Sequence, residues 1–235
     1  MLTQPVPVEA PAPGRAEIAL ALFDGAVRAH ALAPEHRPLL LLAAQYFEHV
    51  RQQGLERPAR AARDLVLAQP IDGLNAEAQS LVASAVAFQS ERIKRDQELA
   101  FLRLNERDKH SALQLAAILS LSEALAANSA RVQVAPLLRD GTGETVVTVA
   151  GERAAHAIEA ASDRDWRWLE ALGPITIRPA APEERLPILP SIEHAHTIGE
   201  APPGVIGEQD FAENARRSLR RHFEKMLARE SEVRS

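Results

Sequence analysis

The hydrophobic positions follow a helical period from about Arg15 to Ser129, and this pattern predicts most of the fold. In AEIALALFDGAVRAHAL, apolar residues recur at roughly helical spacing, which indicates a first helix that ends before Pro34. The next segment, LLLLAAQYFEHV from Leu39 to Val50, is apolar on every side over its first six residues. Because such a helix must be covered all round, we expect it to be the central helix of a bundle.

Three further helices are predicted before the period changes. One runs from about Pro58 to Gln69 and ends at the turn residues of QPIDGLN, and the next runs from about Asn75 to Ile93. The third lies within RLNERDKHSALQLAAILSLSEALAAN and is again apolar nearly all round. Asn105 is the expected N-cap of this helix, and the residues after it form a charged first turn.

The period changes to that of β-strands after Ser129. RVQVAPLL and TVVTVAG are rich in Val and Thr, and RDGTGE between them supplies glycines suited to a hairpin turn. A helix from about Arg153 to Leu172 and a short strand in GPITIRP follow. The fold class is therefore predicted as mainly α, with a helical bundle followed by a small ββαβ (α+β) subdomain.

The two ends of the chain differ from this middle part in composition. Residues 1–14 are rich in proline and small side chains, which predicts a disordered arm. Residues 179–207 contain six prolines and no sustained period, so they are predicted to be a linker. Residues 208–235 have one apolar stripe, which indicates a single amphipathic helix. The predicted domains between the arm and the linker are a helical domain at 15–129 and an α/β subdomain at 130–178.

Composition narrows the possible functions. Aromatic residues are only 4% of the chain, so the core must consist of Leu, Ala, Val and Ile. A net charge of -5 argues against general nucleic-acid binding. The absence of cysteine excludes thiolate catalysis and cysteine-ligated zinc. The sequence shows neither a leader pattern nor a long uncharged apolar run, so a cytoplasmic location without membrane association is expected.

Several phrases of the sequence occur in the same order in a known family. They are ALALFDGAVRAHAL, LLLLAAQYFEHV, LNERDKHSALQLAAILSLSEALAANSARVQV, ETVVTVAG and DRDWRWLEALGPITIRP. Over Ala16 to Arg178 they resemble the C-terminal region of the exopolyphosphatase and guanosine pentaphosphatase (Ppx/GppA) family. The resemblance implies a divergent HD-type helical domain closed by a small α/β piece. The family's phosphatase unit has no counterpart in these 235 residues, because the nearest Gly-rich stretch, DGTGE, lies between two predicted strands.

The resemblance also implies where an HD domain would hold its metal. In this register, a His and an Asp would stand at Phe47 and Glu48, further His would stand near Arg60 and Gln89, and an Asp would stand at Glu123. A divalent-metal hydrolase needs several imidazole and carboxylate ligands that converge on one ion. The sequence therefore differs from the implied site at every one of these positions.

Few residues remain that could replace these ligands. No histidine occurs between His49 and His110. Glu48 and Glu123 are weak candidates for Mg²⁺ ligands, and charges on a helix surface or helix end are the simpler interpretation. We therefore expect no catalytic residues, no bound metal and no cofactor, which would make the chain the shell of an HD domain without its site.

The last predicted helix has a second resemblance. AENARRSLRRHFEKMLARESEVR is similar to the first helix of a CHAD domain, a helical domain that binds polyphosphate through basic side chains. The similarity ends with the chain, which implies a truncated or vestigial copy. A solvated helix face, with Glu213 and Glu224 as ion partners, is the alternative. Polyphosphate is the implied partner, and the residues that would contact it are Arg216, Arg217, Arg220, Arg221 and Lys225.

Two other features are given a simpler interpretation. His194 and His196 form the sequence HAH, but they lie in the predicted linker without a third ligand. Trp166 and Trp168 are interpreted as packing residues of the last predicted helix. The expected function is a non-catalytic module linked to polyphosphate or phosphate metabolism. A phosphohydrolase or its regulatory part is one alternative, and a structural dimerisation domain that forms a homodimer is another.

Overall fold

The computed structural model describes residues 14–30, 32–90, 92–128, 131–137, 144–186 and 189. Residues 1–13 of the predicted N-terminal arm, most of the predicted linker and the whole predicted C-terminal helix lie outside these residues.

The described part is mainly helical, as predicted. The bundle consists of α1 (Arg15–His30), α2 (Arg37–Gln52), α3 (Pro58–Leu67), α4 (Ala76–Ala87), the short α5 (Leu99–Leu102) and α6 (Glu106–Ala127). Short 3-10 turns at Pro34–His36 and Arg95–Gln97 precede α2 and α5. The second half contains β1 (Arg131–Leu137), β2 (Glu144–Ala150), α7 (Ala154–Ser162), α8 (Asp165–Ala171) and β3 (Ile175–Pro179).

The three strands form one small sheet in the order β1-β2-β3. β1 and β2 are antiparallel, with Arg131 opposite Ala150, so the two strands predicted to form a hairpin are indeed neighbours. β3 lies parallel to β2, with Thr145 opposite Ile175, because α7 and α8 return the chain to the same end of the sheet. Residues 138–143, which contain most of the predicted turn, lie outside the described part.

α6 is the most enclosed long helix. It packs against α1 and α4 of the bundle and also against α7 and α8, so the bundle and the sheet region share one hydrophobic core. The helix is long and apolar enough to cross a membrane by composition, but 72% of that window is buried inside the fold. Such burial is typical of the core helix of a soluble protein.

The predicted helix start at Asn105 is confirmed. The Asn105 Oδ1 atom accepts a hydrogen bond of 2.9 Å from the backbone N–H of Asp108, which satisfies a donor that the first turn leaves open. Asn75 does the same for α4, through a 2.7 Å bond from the N–H of Ala78. The predicted break between α3 and α4 is also present, and Gly73 adopts a φ of 83° there, which favours glycine.

The prediction that α2 is covered on every side is wrong. Leu42 is 1% exposed and Leu40 is fully buried, but Leu41 is only partly buried. α2 packs against α1, α3 and α4 and also contacts α6, but Leu41, Gln45, Glu48 and His49 are only partly buried. A run of four leucines is therefore not sufficient evidence for a central helix.

Two predicted helix boundaries are also wrong, and near each of them a side chain is hydrogen-bonded to α6. α4 ends at Ala87 and not near Ile93; just beyond this end, the Gln89 side-chain amide donates to the carbonyls of Ala85 and, on α6, Ala116, each at 3.1 Å. The helix predicted from Arg153 to Leu172 is divided into α7 and α8. At the break, Arg164 Nη1 donates to the carbonyl of Ser120 on α6 at 2.9 Å. The predicted ββαβ order is therefore ββααβ.

Candidate functional site

A cleft of about 740 Å³ opens between the start of α3, the segment after α4 and the junction of α7 with α8. Four of the five positions at which the resemblance implied metal ligands line this cleft: Phe47, Arg60, Gln89 and Glu123. Glu48, the fifth, does not line it. The four come from four different helices or helix ends, which the packing of the bundle brings together. The structure thus gathers these positions in one place, although their side chains are not those of a metal site.

The central residue next to the cleft is Arg15, which the sequence did not single out. Its side chain reaches inward from the start of α1, and the residue is only 7% exposed. Its Nη2 atom donates to Gln89 Oε1 at 2.9 Å and to the carbonyl of Leu119 at 3.1 Å. Its guanidinium also lies over the Phe47 ring, 4.1 Å from the ring centre, as in a cation–π contact.

Burial disfavours the charged form of Arg15. Loss of solvent lowers the pKa of Arg15 to about 10, and the nearby charges of Glu123 and Glu48 offset part of that effect. The Nε and Nη1 atoms have no hydrogen-bond partner in the described part of the chain. At neutral pH, Arg15 is therefore a buried cation that neighbouring carboxylates and an aromatic ring stabilise.

Glu48 and Glu123, the two weak candidates for metal ligands, each accept a hydrogen bond from an arginine side chain. Glu48 accepts hydrogen bonds from Arg51 at 3.0 Å and from Gln52 at 3.1 Å on the surface of α2. Burial raises the pKa of Glu48, but these hydrogen bonds and the charges of Arg51 and Arg15 more than offset it, so the pKa lies below its ordinary value. Glu123 accepts from Arg164 Nη1 at 3.2 Å.

The donor set does not fit a divalent metal ion. Among the described residues, no three His, Asp or Glu side chains stand close enough together to hold one. Phe47 cannot act as a ligand, and Gln89 uses its amide oxygen to accept from Arg15. Phe47 and Gln89 instead contact the Arg15 guanidinium group.

The cleft itself is strongly basic. Its lining includes six cationic side chains against two carboxylates, which gives an excess of four positive charges in a chain whose net charge is -5. The cationic residues are Arg57, Arg60, Arg63, Arg92, Lys94 and Arg164, and the acidic ones are Glu98 and Glu123. This cluster could not be predicted from the sequence, because its members are spread over more than a hundred positions without forming a charge run.

Two of the six cations are fixed by carboxylates at the floor of the cleft. Arg63 donates to Glu98 at 2.7 Å and to Asp64 at 2.6 Å, and Glu98 has a side chain that is only 3% exposed. Burial alone would lower the pKa of Arg63, but these hydrogen bonds and charges raise it above its ordinary value. Arg164 is held in the same way by Glu123 and by the carbonyl of Ser120. These pairs give the floor a fixed geometry.

The other four cations form the rim, and they have no carboxylate partner within the described residues. Arg57 and Arg60 lie at the start of α3, and Arg92 and Lys94 lie on the segment after α4; all four are exposed. Arg57 adopts a left-handed φ of 56° immediately before Pro58, a conformation that is uncommon for a residue other than glycine. The excess charge of the cleft equals the charge of these four rim residues.

The other residues considered in the sequence analysis are only partly described. Trp168 is fully buried as expected, but Trp166 is 48% exposed and stacks with the guanidinium of Arg167 at 5.0 Å. His194 and His196 lie outside the described residues. The same holds for the predicted polyphosphate contacts Arg216, Arg217, Arg220, Arg221 and Lys225.

Neither the profile of a known protein family nor any curated protein matches the sequence. The resemblance to the Ppx/GppA and CHAD families therefore stays a prediction.

Proposed function

We propose that the chain is a non-catalytic module of the inactive HD type, which binds a phosphate-rich anion without hydrolysing it. The observation that supports this most directly is the position of Arg15. Its guanidinium lies over Phe47, is hydrogen-bonded to Gln89 and interacts electrostatically with Glu48 and Glu123. These are the positions at which the family resemblance places the ligands of an HD metal.

A guanidinium can replace a metal ion structurally but not chemically. Its positive charge compensates nearby carboxylates, and its flat shape fits against an aromatic ring. It cannot coordinate a water molecule and lower the pKa of that water, which is the step that makes a metal hydrolase active. A second cation next to it would also be repelled. The arrangement therefore preserves the fold of a metal domain while it removes the chemistry.

The link to phosphate has two supports of different kinds. One is the basic cleft, whose excess of four positive charges is unusual in an acidic chain. The other is the CHAD-like sequence at 208–235, where Arg216, Arg217, Arg220, Arg221 and Lys225 would supply further contacts to polyphosphate. In this proposal the protein acts in the cytoplasm as a binding component of polyphosphate or phosphate metabolism.

The proposal is tested by metal analysis combined with a hydrolysis assay. The purified protein is equilibrated with Mn²⁺, Mg²⁺ or Zn²⁺, passed through a desalting column and analysed for metal per chain. We expect much less than one metal per chain and no release of phosphate from polyphosphate or phosphomonoesters. One tightly bound metal per chain that is lost in Glu48→Ala or Glu123→Ala, together with phosphate release, would overturn the proposal.

A homodimer is a second candidate role, supported by exposed apolar side chains. Leu99 is 67% exposed and Leu169 is 60% exposed, and Trp166 lies close to Leu169 in sequence on α8. Scattered apolar residues are normal on a protein surface, so only a mass measurement decides this point. Light scattering that gives twice the chain mass, and one chain mass for Leu169→Glu, would favour dimerisation.

A further inference from the structure

We infer that the cleft is a site for an oligophosphate group, which is held by rim residues of two walls, the start of α3 and the segment after α4. This inference rests on the proposed function, because it assigns the phosphate-rich anion to a place in the described structure. It also separates the site from the CHAD-like segment, to which the sequence alone assigned the ligand.

The rim cations are arranged in two pairs that line one cleft. Arg57 and Arg60 are presented by the start of α3, whereas Arg92 and Lys94 are presented by the segment that follows α4. Like charges that line one cleft repel each other, and no carboxylate of the described residues compensates them. A multivalent anion between the walls would convert this repulsion into attraction on both sides.

The number of charges limits the size of the ligand. At the floor, Arg63 pairs with Glu98 and Asp64, and Arg164 pairs with Glu123. The lining cations with no carboxylate partner among the described residues are therefore the four of the rim. One phosphate group carries a charge of about -1.5 to -2 at neutral pH. At least two linked phosphate groups are therefore needed to match the rim, and a single phosphate ion would leave half of it uncompensated.

The size and the lining of the cleft limit what else the ligand can contain. The cleft volume of about 740 Å³ lies within the range of small-molecule sites. Nucleobases are commonly held by stacking on an aromatic side chain. Among the described residues that line the cleft, Phe47 is the only aromatic one; it is 3% exposed, and the Arg15 guanidinium covers its ring. The lining thus favours a phosphate chain without a base over a nucleotide.

Arg15 positions one of the walls of the cleft. Its hydrogen bond to Gln89 holds the residue at which α4 turns into the segment with Arg92 and Lys94. Gln89 is in turn anchored to the carbonyls of Ala85 and Ala116. The wall is therefore set in place by buried hydrogen bonds, even though its charged side chains are exposed.

Binding of tripolyphosphate, measured by isothermal titration calorimetry at low ionic strength, tests the inference. The test variant is Arg60→Gln with Arg92→Gln, which removes one cation from each wall. The matched control is Arg103→Gln with Arg153→Gln, which removes two exposed arginines that do not line the cleft. Both variants change the net charge of the chain equally, and thermal unfolding establishes that both are folded.

We expect the affinity of the test variant to fall by about tenfold or more, and that of the control by about twofold or less, because specific charge-assisted hydrogen bonds are lost only in the cleft. The logarithm of affinity should also fall less steeply with the logarithm of salt in the test variant. Equal losses in both variants would overturn the inference, as would no binding of tripolyphosphate to the natural sequence.

Two further titrations distinguish the possible failures. Tighter binding of ATP than of tripolyphosphate would contradict a site for base-free phosphate chains. Binding of long-chain polyphosphate that is unchanged in the Arg60→Gln, Arg92→Gln variant would place the ligand elsewhere, such as at 208–235, and would overturn the inference while the proposed function stands. Hydrolysis of the bound ligand would instead contradict the proposed function and leave the location of the site intact.

Discussion

Arg15 illustrates how one side chain can determine the character of a site. A buried guanidinium is costly unless its surroundings compensate the charge, and here Gln89, the Leu119 carbonyl and the Phe47 ring do so. The role of Arg15 cannot be predicted from the sequence, because an arginine at the start of a helix is usually solvated. Its role depends on partners that lie 74 and 104 positions away, and no local pattern shows such contacts.

We expect Arg15→Met to destabilise the fold by about 1 to 3 kcal/mol, because Gln89 Oε1 and the Leu119 carbonyl lose a buried donor. Arg51→Met is the matched control, since Arg51 has a side chain that is 55% exposed and pairs with Glu48 at the surface. Its cost should stay below about 1 kcal/mol. Urea unfolding of both variants provides the comparison, and equal losses would contradict the structural role of Arg15.

His36 should make stability depend on pH. Burial lowers its pKa, with Arg107 acting in the same direction and Glu35 and Asp108 partly opposing them. The unfolded chain therefore binds a proton at a higher pH than the folded protein does. Stability should fall as the pH drops below about 6.5, down to the folded pKa, and should be level above that window.

The His36→Gln variant isolates this contribution. Over the same pH range, its unfolding free energy should lack the portion of the decrease that His36 causes, so the two curves should differ in slope between about pH 6.5 and the folded pKa of His36. Urea unfolding at several pH values measures the slopes. Parallel curves would show that His36 titrates alike in both states.

At the scale of elements, local signals predicted the starts of helices better than their ends. The caps at Asn75 and Asn105 are local hydrogen bonds within three residues, so the sequence displays them directly. The end of α4 at Ala87 and the break between α7 and α8 depend on Gln89 and Arg164 bonds to α6, which are not local. Strand pairing between β1 and β2 was predictable because the two strands are consecutive.

The correction to α2 leads to a prediction that separates neighbouring leucines. Leu42→Ala should cost about 2 to 5 kcal/mol, because Leu42 is 1% exposed and its removal leaves a cavity. Leu41→Ala should cost clearly less, because Leu41 is already partly in contact with solvent. Denaturant unfolding of the two variants gives the comparison directly. A larger loss for Leu41 would mean that the exposed side of α2 is assigned incorrectly.

For the whole molecule, the distribution of charge matters more than the total. A net charge of -5 is evidence against a uniformly basic surface, but it does not exclude a local cleft with an excess of four positive charges, which the structure contains. The family resemblance directed attention to Phe47, Arg60, Gln89 and Glu123, which do line this cleft. It could not indicate the rim, because Arg57, Arg92 and Lys94 line one cleft only after folding brings the start of α3 and the segment after α4 together.

The central claim is that the molecule binds phosphate chains without cleaving them, and phosphorus NMR of tripolyphosphate mixed with the protein tests both halves at once. In the presence of Mg²⁺ or Mn²⁺ at a level too low to broaden the free ligand, we predict that the tripolyphosphate signals shift or broaden with added protein. We also predict that no signals of pyrophosphate or orthophosphate appear over many hours. Unchanged signals would contradict binding, and growth of the orthophosphate signal in proportion to protein would contradict the non-catalytic account.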